Sequence, residues 1–412
     1  MTEFLPFRGI IYDNTKVNGN DVFAPPYDII GPQRQEELYR KSEYNIVRID
    51  FGRDASGTDG PDNRYSKASD YLSEWLARGV LRRLDKDAFY IYEAAYRYLG
   101  ETLKLRGIIG RVRIVELGQG VYPHEETHSK PKKDRLSLMK ACKANVSPIF
   151  SLYNSPDRIA SKIIEDTAAS SKPYMEALDD WGVIHRLWII DDDTSIKAIS
   201  SDISRRPIFI ADGHHRYETA LEYRNEMRSI SDVKGNAPFD YVMMFLANIS
   251  DPGLTILPTH RLVDSVPGNF VDILSQCFEI SLIDKNTDIN KLLLQSPGTI
   301  GMFHNDLKGF YLLKPVSPDL EDTPPALRGL DVVVLHELIF KKLLNIDIIT
   351  YEMDTWRCIE MVKKGKHAAV FFLSPTEVGD IEKVAMNSVR MPPKSTYFFP
   401  KLMTGTVLNP FV

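Results

Sequence analysis

The sequence predicts a mixed α/β (α+β) fold, with mixed sheets flanked by helices, and three observations carry that expectation. Short apolar or alternating runs recur along the chain, bounded by glycine, proline and asparagine, as strands are. Longer stretches with apolar residues at helical spacing lie between them. Several strand-like runs follow one another directly, as hairpins do, instead of each alternating with a helix, so a regular doubly wound sheet is not expected.

Pro6-Phe-Arg-Gly-Ile-Ile-Tyr12 reads as a strand, and Val22 to Ile30 as a stiff connection in which Pro25 and Pro26 fix two φ angles. Gly31-Pro32 then opens a helix through Tyr39, proline being well suited to the first helical position. Tyr44-Asn-Ile-Val-Arg-Ile-Asp-Phe51 alternates polar and apolar residues, which predicts a strand. The stretch 52–63, rich in Gly, Asp and Ser, predicts a mobile loop. Tyr65 to Gly79 reads as an amphipathic helix with Tyr71, Leu72, Trp75 and Leu76 on one side. Ala88–Tyr96 and Glu101–Val112 predict a hairpin turning at Leu99-Gly100. Further strands are expected at Val146–Leu152, Val183–Ile190, Ile208–Ala211, Phe239–Ala247 and Leu254–Leu257, with a helix at about 157–170. Beyond Pro267-Gly268 helices and strands alternate again.

At 412 residues the chain exceeds one compact core. The expected division is an N-terminal α/β segment at 1–87, a core at 88–265 and a C-terminal α/β domain at 266–412. A net charge of −5 argues against a nucleic-acid partner, which a basic field would attract. Cys142, Cys277 and Cys358 are odd in number and far apart, which suits a reducing compartment. No membrane partner is expected, because no run of about 18 apolar residues appears. The opening Met-Thr-Glu-Phe-Leu-Pro lacks a signal-peptide pattern, so the expected location is the cytoplasm. Oligomeric state is not legible.

The chemistry concentrates in three segments. In Arg206-Pro-Ile-Phe-Ile-Ala-Asp-Gly-His-His-Arg-Tyr217 an apolar strand ends at Asp212-Gly213, and a helical pattern starts at His214. The first N–H groups of a helix have no intrahelical acceptor, and a glycine lets the main chain approach a ligand. Gly213, His214, His215 and Arg216 therefore form a candidate phosphate cradle. Three consecutive His-His-Arg side chains are not cheaply buried together, which favours a ligand over a plain exposed cap.

The second segment, Gly118 to Arg135, holds His124, Glu125, His128, Lys130, Lys132, Lys133 and Arg135. Glu125 beside His124 suits general base catalysis on a hydroxyl, with Lys130 and Arg135 among the cations that balance phosphate charge. A solvated charged loop is the alternative. His124-Glu-Glu-Thr-His128 also matches H-E-x-x-H, the zinc pattern of a metal hydrolase. Pro123 before it, Pro131 after it and the charged Glu126 inside it argue against the continuous buried helix that zinc motif requires. The third segment is Arg390-Met-Pro-Pro-Lys-Ser-Thr-Tyr397, where Lys394, Ser395 and Thr396 offer a cation and two hydroxyls. His260 and Arg261, after the Leu254–Pro258 run, are weaker candidates for the same pocket. A Walker-type loop and a protein-kinase motif set are absent.

Ala-Pro-Pro-Tyr-Asp (24–28), Pro-His-Glu (123–125), Ala-Asp-Gly-His-His-Arg-Tyr (211–217), Leu-Pro-Thr-His-Arg (257–261) and Met-Pro-Pro-Lys-Ser-Thr-Tyr-Phe-Phe-Pro-Lys (391–401) together resemble a large prokaryotic family labelled SpoOJ/ParA/ParB/RepB-like. Part of the pattern is similar to the ADP-dependent free serine kinase of the ParB/sulfiredoxin-like superfamily. That resemblance implies a ParB/sulfiredoxin-like core with N- and C-terminal additions. It implies Glu125 as the base on the substrate hydroxyl, with His124 beside it, and phosphates held by Gly213, His214, His215 and Arg216. It implies Asp212 orienting the turn or a magnesium ion, ADP or ATP as donor, and Lys394 with Ser395 or Thr396 near the substrate. The chain departs from the kinase in its length and in Pro-Lys-Ser-Thr where the kinase has Pro-Lys-Thr-Thr.

The function expected is nucleotide-dependent phosphotransfer to a small hydroxyl metabolite, free L-serine first. A ParB-like nucleotide-binding switch without such chemistry is the second reading, and a metal hydrolase using His124 and His128 the third.

Overall fold

A computed structural model describes residues 2–54, 63–125, 129–284, 286–306, 309–316 and 318–411, with the side chains of 129–131 outside the description. The expected loop at 52–63 therefore falls mostly outside the described residues. The chain forms two compact units. One comprises Met1–Pro123, Thr127–Leu254 and Pro400–Val412; the other comprises His124–Glu126 and Thr255–Phe399.

In the first unit a nine-stranded mixed sheet runs in the order Val121–Tyr122, Ile208–Asp212, Ile149–Tyr153, Tyr241–Asn248, Glu101–Arg113, Phe89–Tyr98, Ile184–Ile190, Met175–Leu178, with Phe4–Leu5 also pairing with Glu101–Arg113. Tyr241–Asn248 runs parallel to Ile149–Tyr153, and Ile208–Asp212 runs parallel to Val121–Tyr122. The hairpin turns where expected, with Leu99 and Gly100 both at positive φ (49° and 89°), the geometry that matches the twist of the flanking strands. Ile91, Ile108, Val112, Ile149 and Met244 bury one face together with Ile164, Ile199, Ile203, Tyr217 and Ala220 of the helices Ile159–Ser170, Asp193–Ile203 and His214–Ile230. A second cluster gathers around Trp75, with Tyr12, Phe23, Leu72 and Leu408.

No cut falls between 87 and 88. Phe4–Leu5 is a strand of the main sheet, and the Tyr90 hydroxyl accepts from the Gly9 N–H at 2.7 Å and donates to the Phe7 carbonyl at 3.0 Å. The C-terminal Asn409–Pro410 returns to pair with Ala144–Asn145. The helix expected at 65–79 forms as Arg64–Ala77, capped by the Asn63 side chain and ended before Gly79 at φ +65°.

The strand expected over Tyr44–Phe51 is instead a short helix, Val47–Asp50. The Asn45 side chain accepts from the Val47 N–H at 3.0 Å and donates to the Asp21 carbonyl at 2.7 Å, closing a turn that a strand would leave open. Ile46, Val47, Ile49 and Asp50 are all buried, which is helical spacing and not alternation.

The second unit holds a six-stranded antiparallel sheet in the order Phe278–Ile283, Phe310–Pro315, Ile300–His304, Ala369–Phe372, His260–Val263, Ile349–Glu352. Its core joins Leu262, Val370 and Phe372 to Leu293, Cys358 and Ile359. Thr255–Leu257 pairs with Tyr397–Phe399 as a separate ribbon. Asp331–Val333 continues directly into a π-helix over Val334–Leu344. All three cysteines are free. Among the described residues no helix is long and apolar enough to cross a membrane.

Candidate functional site

The strand Ile208–Asp212 ends in an irregular register against Ile149–Tyr153, and the chain turns at Gly213 into the helix His214–Ile230. Gly213 is left-handed at φ +96°, a conformation that other residues adopt at a cost. A side chain there would also meet Arg216, whose Nε lies 2.7 Å from the place a Cβ would occupy. Arg216 folds back across the glycine, its Nη2 donating to Asp212 Oδ2 at 3.2 Å and its Nη1 to the Pro148 carbonyl. Lys401 Nζ stands 3.5 Å from the other oxygen, Asp212 Oδ1. Asp212 thus holds two cations at the mouth of the helix. His214 is buried and His215 half-buried in the same first turn.

Beside this turn lies a buried charged network. Arg135 donates from Nη1 to Asp50 Oδ1 and from Nη2 to the Asp50 carbonyl, both at 2.9 Å, and pairs with Asp134 at 2.5 Å. Its guanidinium sits 3.9 Å from the ring centre of Tyr27, which gives the Pro-Pro-Tyr-Asp stretch a place. Burial by itself would lower the Arg135 pKa, but Asp50 and Asp134 raise it above its ordinary value. Burial raises the Asp50 carboxyl, against the pull of Arg135 and Arg216. The Arg135 guanidinium is thereby committed to protein partners. Lys132 pairs with Glu218 at 2.9 Å, while the side chain of Lys130 lies outside the described residues.

In the second unit His124 and Glu125 are extended, bridged to Met391, whose N–H donates to the His124 carbonyl at 2.8 Å. Glu125 Oε1 accepts from both the Thr396 N–H at 3.1 Å and the Thr396 hydroxyl at 3.0 Å. His124 Nε2 lies 2.9 Å from the same hydroxyl. That hydroxyl has one proton and gives it to Glu125, so His124 Nε2 is the donor and carries a proton. Among the described residues Glu125 Oε2 accepts no hydrogen bond, and the side chain keeps 17% of its surface exposed. One carboxylate oxygen is fixed by two donors, and the other has none among the described residues.

The extended conformation at 124–125 removes the zinc motif, which needs both histidines on one helix. His128 lies outside the described residues, and among those described no cluster of His, Cys, Asp and Glu could hold a metal ion. His260 is also corrected. It is fully buried, bonded to the Thr355 hydroxyl at 2.9 Å and packed on Phe372, with its pKa pushed down to about 3 by burial and then by Arg261. It is a neutral core residue. Arg261 is buried too. It donates to the Thr259 carbonyl, to the Lys394 carbonyl at 3.0 Å and to His336 Nε2 at 3.3 Å. Lys394 adopts positive φ (58°), and the Ser395 hydroxyl bonds the Pro392 carbonyl at 2.6 Å.

The second unit therefore brings Glu125, His124, Lys394, Ser395, Thr396 and Arg261 together, and the first gathers Asp212–Arg216 with Arg135 near it. Sequence reasoning missed Asp50, Tyr27 and Lys401. Tyr27 and Lys401 lie in the motifs 24–28 and 391–401, but nothing local gives any of the three a role, since their partners lie far along the chain.

The family designated DUF1015, "Protein of unknown function", matches over residues 4–333. The chain belongs to this family. Among curated proteins none matches this DUF1015 chain in sequence. Solved structures similar to it include a conserved hypothetical protein from Pyrococcus furiosus at 10% identity and TM-score 0.36, covering 73% of this chain and 93% of that one. A free serine kinase in complex with AMP is similar at 10% identity and TM-score 0.36, covering 74% and 89%. A C-terminally truncated SbnI from Staphylococcus aureus is similar at 12% identity and TM-score 0.36, covering 72% and 85%. At these identities and TM-scores no residue's role is carried across to the DUF1015 chain, and none of these matches bears a chromosome-partition name.

Proposed function

We propose that this protein transfers a phosphoryl group from a nucleotide, ADP or ATP, to the hydroxyl of a small metabolite, with free L-serine the first acceptor to test. The roles are assigned unit by unit. In the first, the N–H groups opening the helix His214–Ile230, with His214, His215 and Arg216, hold phosphate oxygens. Gly213 allows the main chain to come close. In the second, Glu125 removes the proton of the acceptor hydroxyl through Oε2, and Thr396 with His124 fixes Oε1.

The observation that carries this reading is the asymmetric anchoring of Glu125. A carboxylate held at one oxygen by a backbone N–H and a hydroxyl is oriented by neutral donors, which is what a general base requires. Asp212 does not fit the role of a magnesium ligand, since its oxygens face Arg216 and Lys401. A magnesium ion would arrive on the nucleotide's own phosphates, as this hard cation commonly does, and no step here is routed through it.

The test is direct. Purified protein with ADP or ATP, Mg²⁺ and L-serine or a panel of small alcohols gives a phosphorylated acceptor detectable by ³¹P NMR. Glu125→Gln keeps the two anchoring hydrogen bonds and loses the base, so turnover falls by about 10²–10⁴-fold. Nucleotide binding without any phosphorylated product would favour a binding switch instead.

A further inference from the structure

The turn that clasps Glu125 is not a relaxed one. Between Pro392 and Thr396 the chain passes through Lys394 at φ +58°, a left-handed conformation that a residue with a Cβ adopts at a cost. Lys394 is exposed, so burial of its own side chain does little to hold it there. The flanks of the turn are braced, since the Ser395 hydroxyl donates to the Pro392 carbonyl at 2.6 Å and the Thr376 hydroxyl to the Ser395 carbonyl at 2.9 Å. At the strained residue itself the carbonyl accepts from Arg261 Nη2 at 3.0 Å.

Arg261 is fixed on its other sides. It is 1% exposed, its Nη1 donates to the Thr259 carbonyl, and its Nε donates to His336 Nε2 at 3.3 Å. Three directions of donation from one planar fork leave the guanidinium a single orientation. His336 comes from the π-helix Val334–Leu344, a rare conformation that is frequent at functional sites. Burial and then Arg261 push that histidine down to about 3, so it stays neutral and its Nε2 accepts. Burial also pulls the guanidinium down to about 10, and first Tyr351 and then Glu125 oppose that fall.

We propose that Arg261 is a positioning residue for Glu125. Anchored on the π-helix through His336, it holds Lys394 left-handed. Two residues further on, that conformation aims the Thr396 N–H and hydroxyl at Glu125 Oε1. The proposal rests on the reading of Glu125 as the base, but the anchoring can be measured without turnover.

The experiment is hydrogen exchange of the full-length protein, read by mass spectrometry on peptides covering 391–397. Peptides covering the edge strand Phe278–Ile283, which can open without breaking an Arg261 contact, are the control. Arg261→Lys keeps the charge and loses the fork, so it should speed exchange at 391–397 by about tenfold or more and leave 278–283 unchanged. His336→Leu removes the anchor without touching the turn, and should act in the same direction by about threefold. Adding Lys394→Gly to Arg261→Lys supplies a residue that adopts positive φ freely, and should slow the exchange again by about threefold or more. In the phosphoryl-transfer assay Arg261→Lys should lower kcat by about tenfold with nucleotide affinity kept. Unchanged exchange at 391–397 in both single variants would overturn the proposal. So would equal acceleration at 278–283, no slowing by Lys394→Gly, or an undiminished kcat. A wild-type protein that transfers no phosphoryl group would remove the reading of Glu125 as base, while the exchange result still decides whether Arg261 holds the turn.

Discussion

Arg135 and Arg261 are the same residue type at nearly the same depth, yet their surroundings are opposite. Arg135, in the first unit, is 6% exposed and clasped by Asp50 and Asp134, which raise its pKa above the ordinary value despite burial. Arg261, in the second, is 1% exposed and bonded to carbonyls and a neutral histidine, and burial pulls it down to about 10. A buried arginine with its acid completes the fold. Arg261 makes no ion pair among the described residues, although the charge of Glu125 acts on it, and it lines a cavity. The sequence offered Arg135 as a phosphate-balancing cation and Arg261 as a weaker candidate for the ligand pocket; only the partners distinguish them.

The largest stability effect expected from this contrast is at Arg135. Arg135→Met leaves Asp50 buried and unpaired, so urea unfolding should show a loss of about 3–5 kcal/mol, the usual consequence of breaking one side of a buried pair. Arg261→Met removes a charge that makes no ion pair among the described residues, so its loss should be smaller, about 1–3 kcal/mol, from the carbonyl and histidine bonds that go with it. Equal losses in the two variants would break the comparison.

Acid sharpens it further. His260 and His336 in the second unit are held neutral, both pushed down to about 3 by burial and then by Arg261. Their unfolded values stand near about 6.5, so the unfolded chain takes up protons first as pH falls. The stability these histidines contribute is full above about pH 6.5 and is lost progressively toward pH 3. Hydrogen exchange followed by mass spectrometry between pH 7 and 5 should therefore show protection falling sooner in residues 255–399 than in 88–254. Uniform loss across both would remove the buried histidines from the explanation.

Much of the fold was legible because its signals are local. Leu99-Gly100, Gly79 after the helix Arg64–Ala77, and Gly213 between strand and helix each act within a few residues. The Tyr44–Phe51 run misled because Asn45 reaches back to Asp21, a tertiary bond that outweighs an alternating pattern. At the candidate sites the ligand-facing segments were visible as clusters of His, Arg and Lys. Their partners were not, because Asp50 meets Arg135, and Lys401 meets Asp212, across long stretches of chain with no sequence periodicity to announce the pairing. The failure of H-E-x-x-H has the same origin, since His124 and Glu125 are held extended by Met391 and Thr396 from the far end of the sequence.

The division of labour between the units is the claim that most needs testing, and one crossed measurement does so. Nucleotide affinity and turnover are measured together in Glu125→Gln and Arg216→Met. Glu125→Gln should keep wild-type nucleotide affinity with turnover down by about 10²–10⁴-fold, and Arg216→Met should weaken nucleotide affinity by about tenfold or more. Undiminished turnover in Glu125→Gln, or undiminished nucleotide affinity in Arg216→Met, would contradict it.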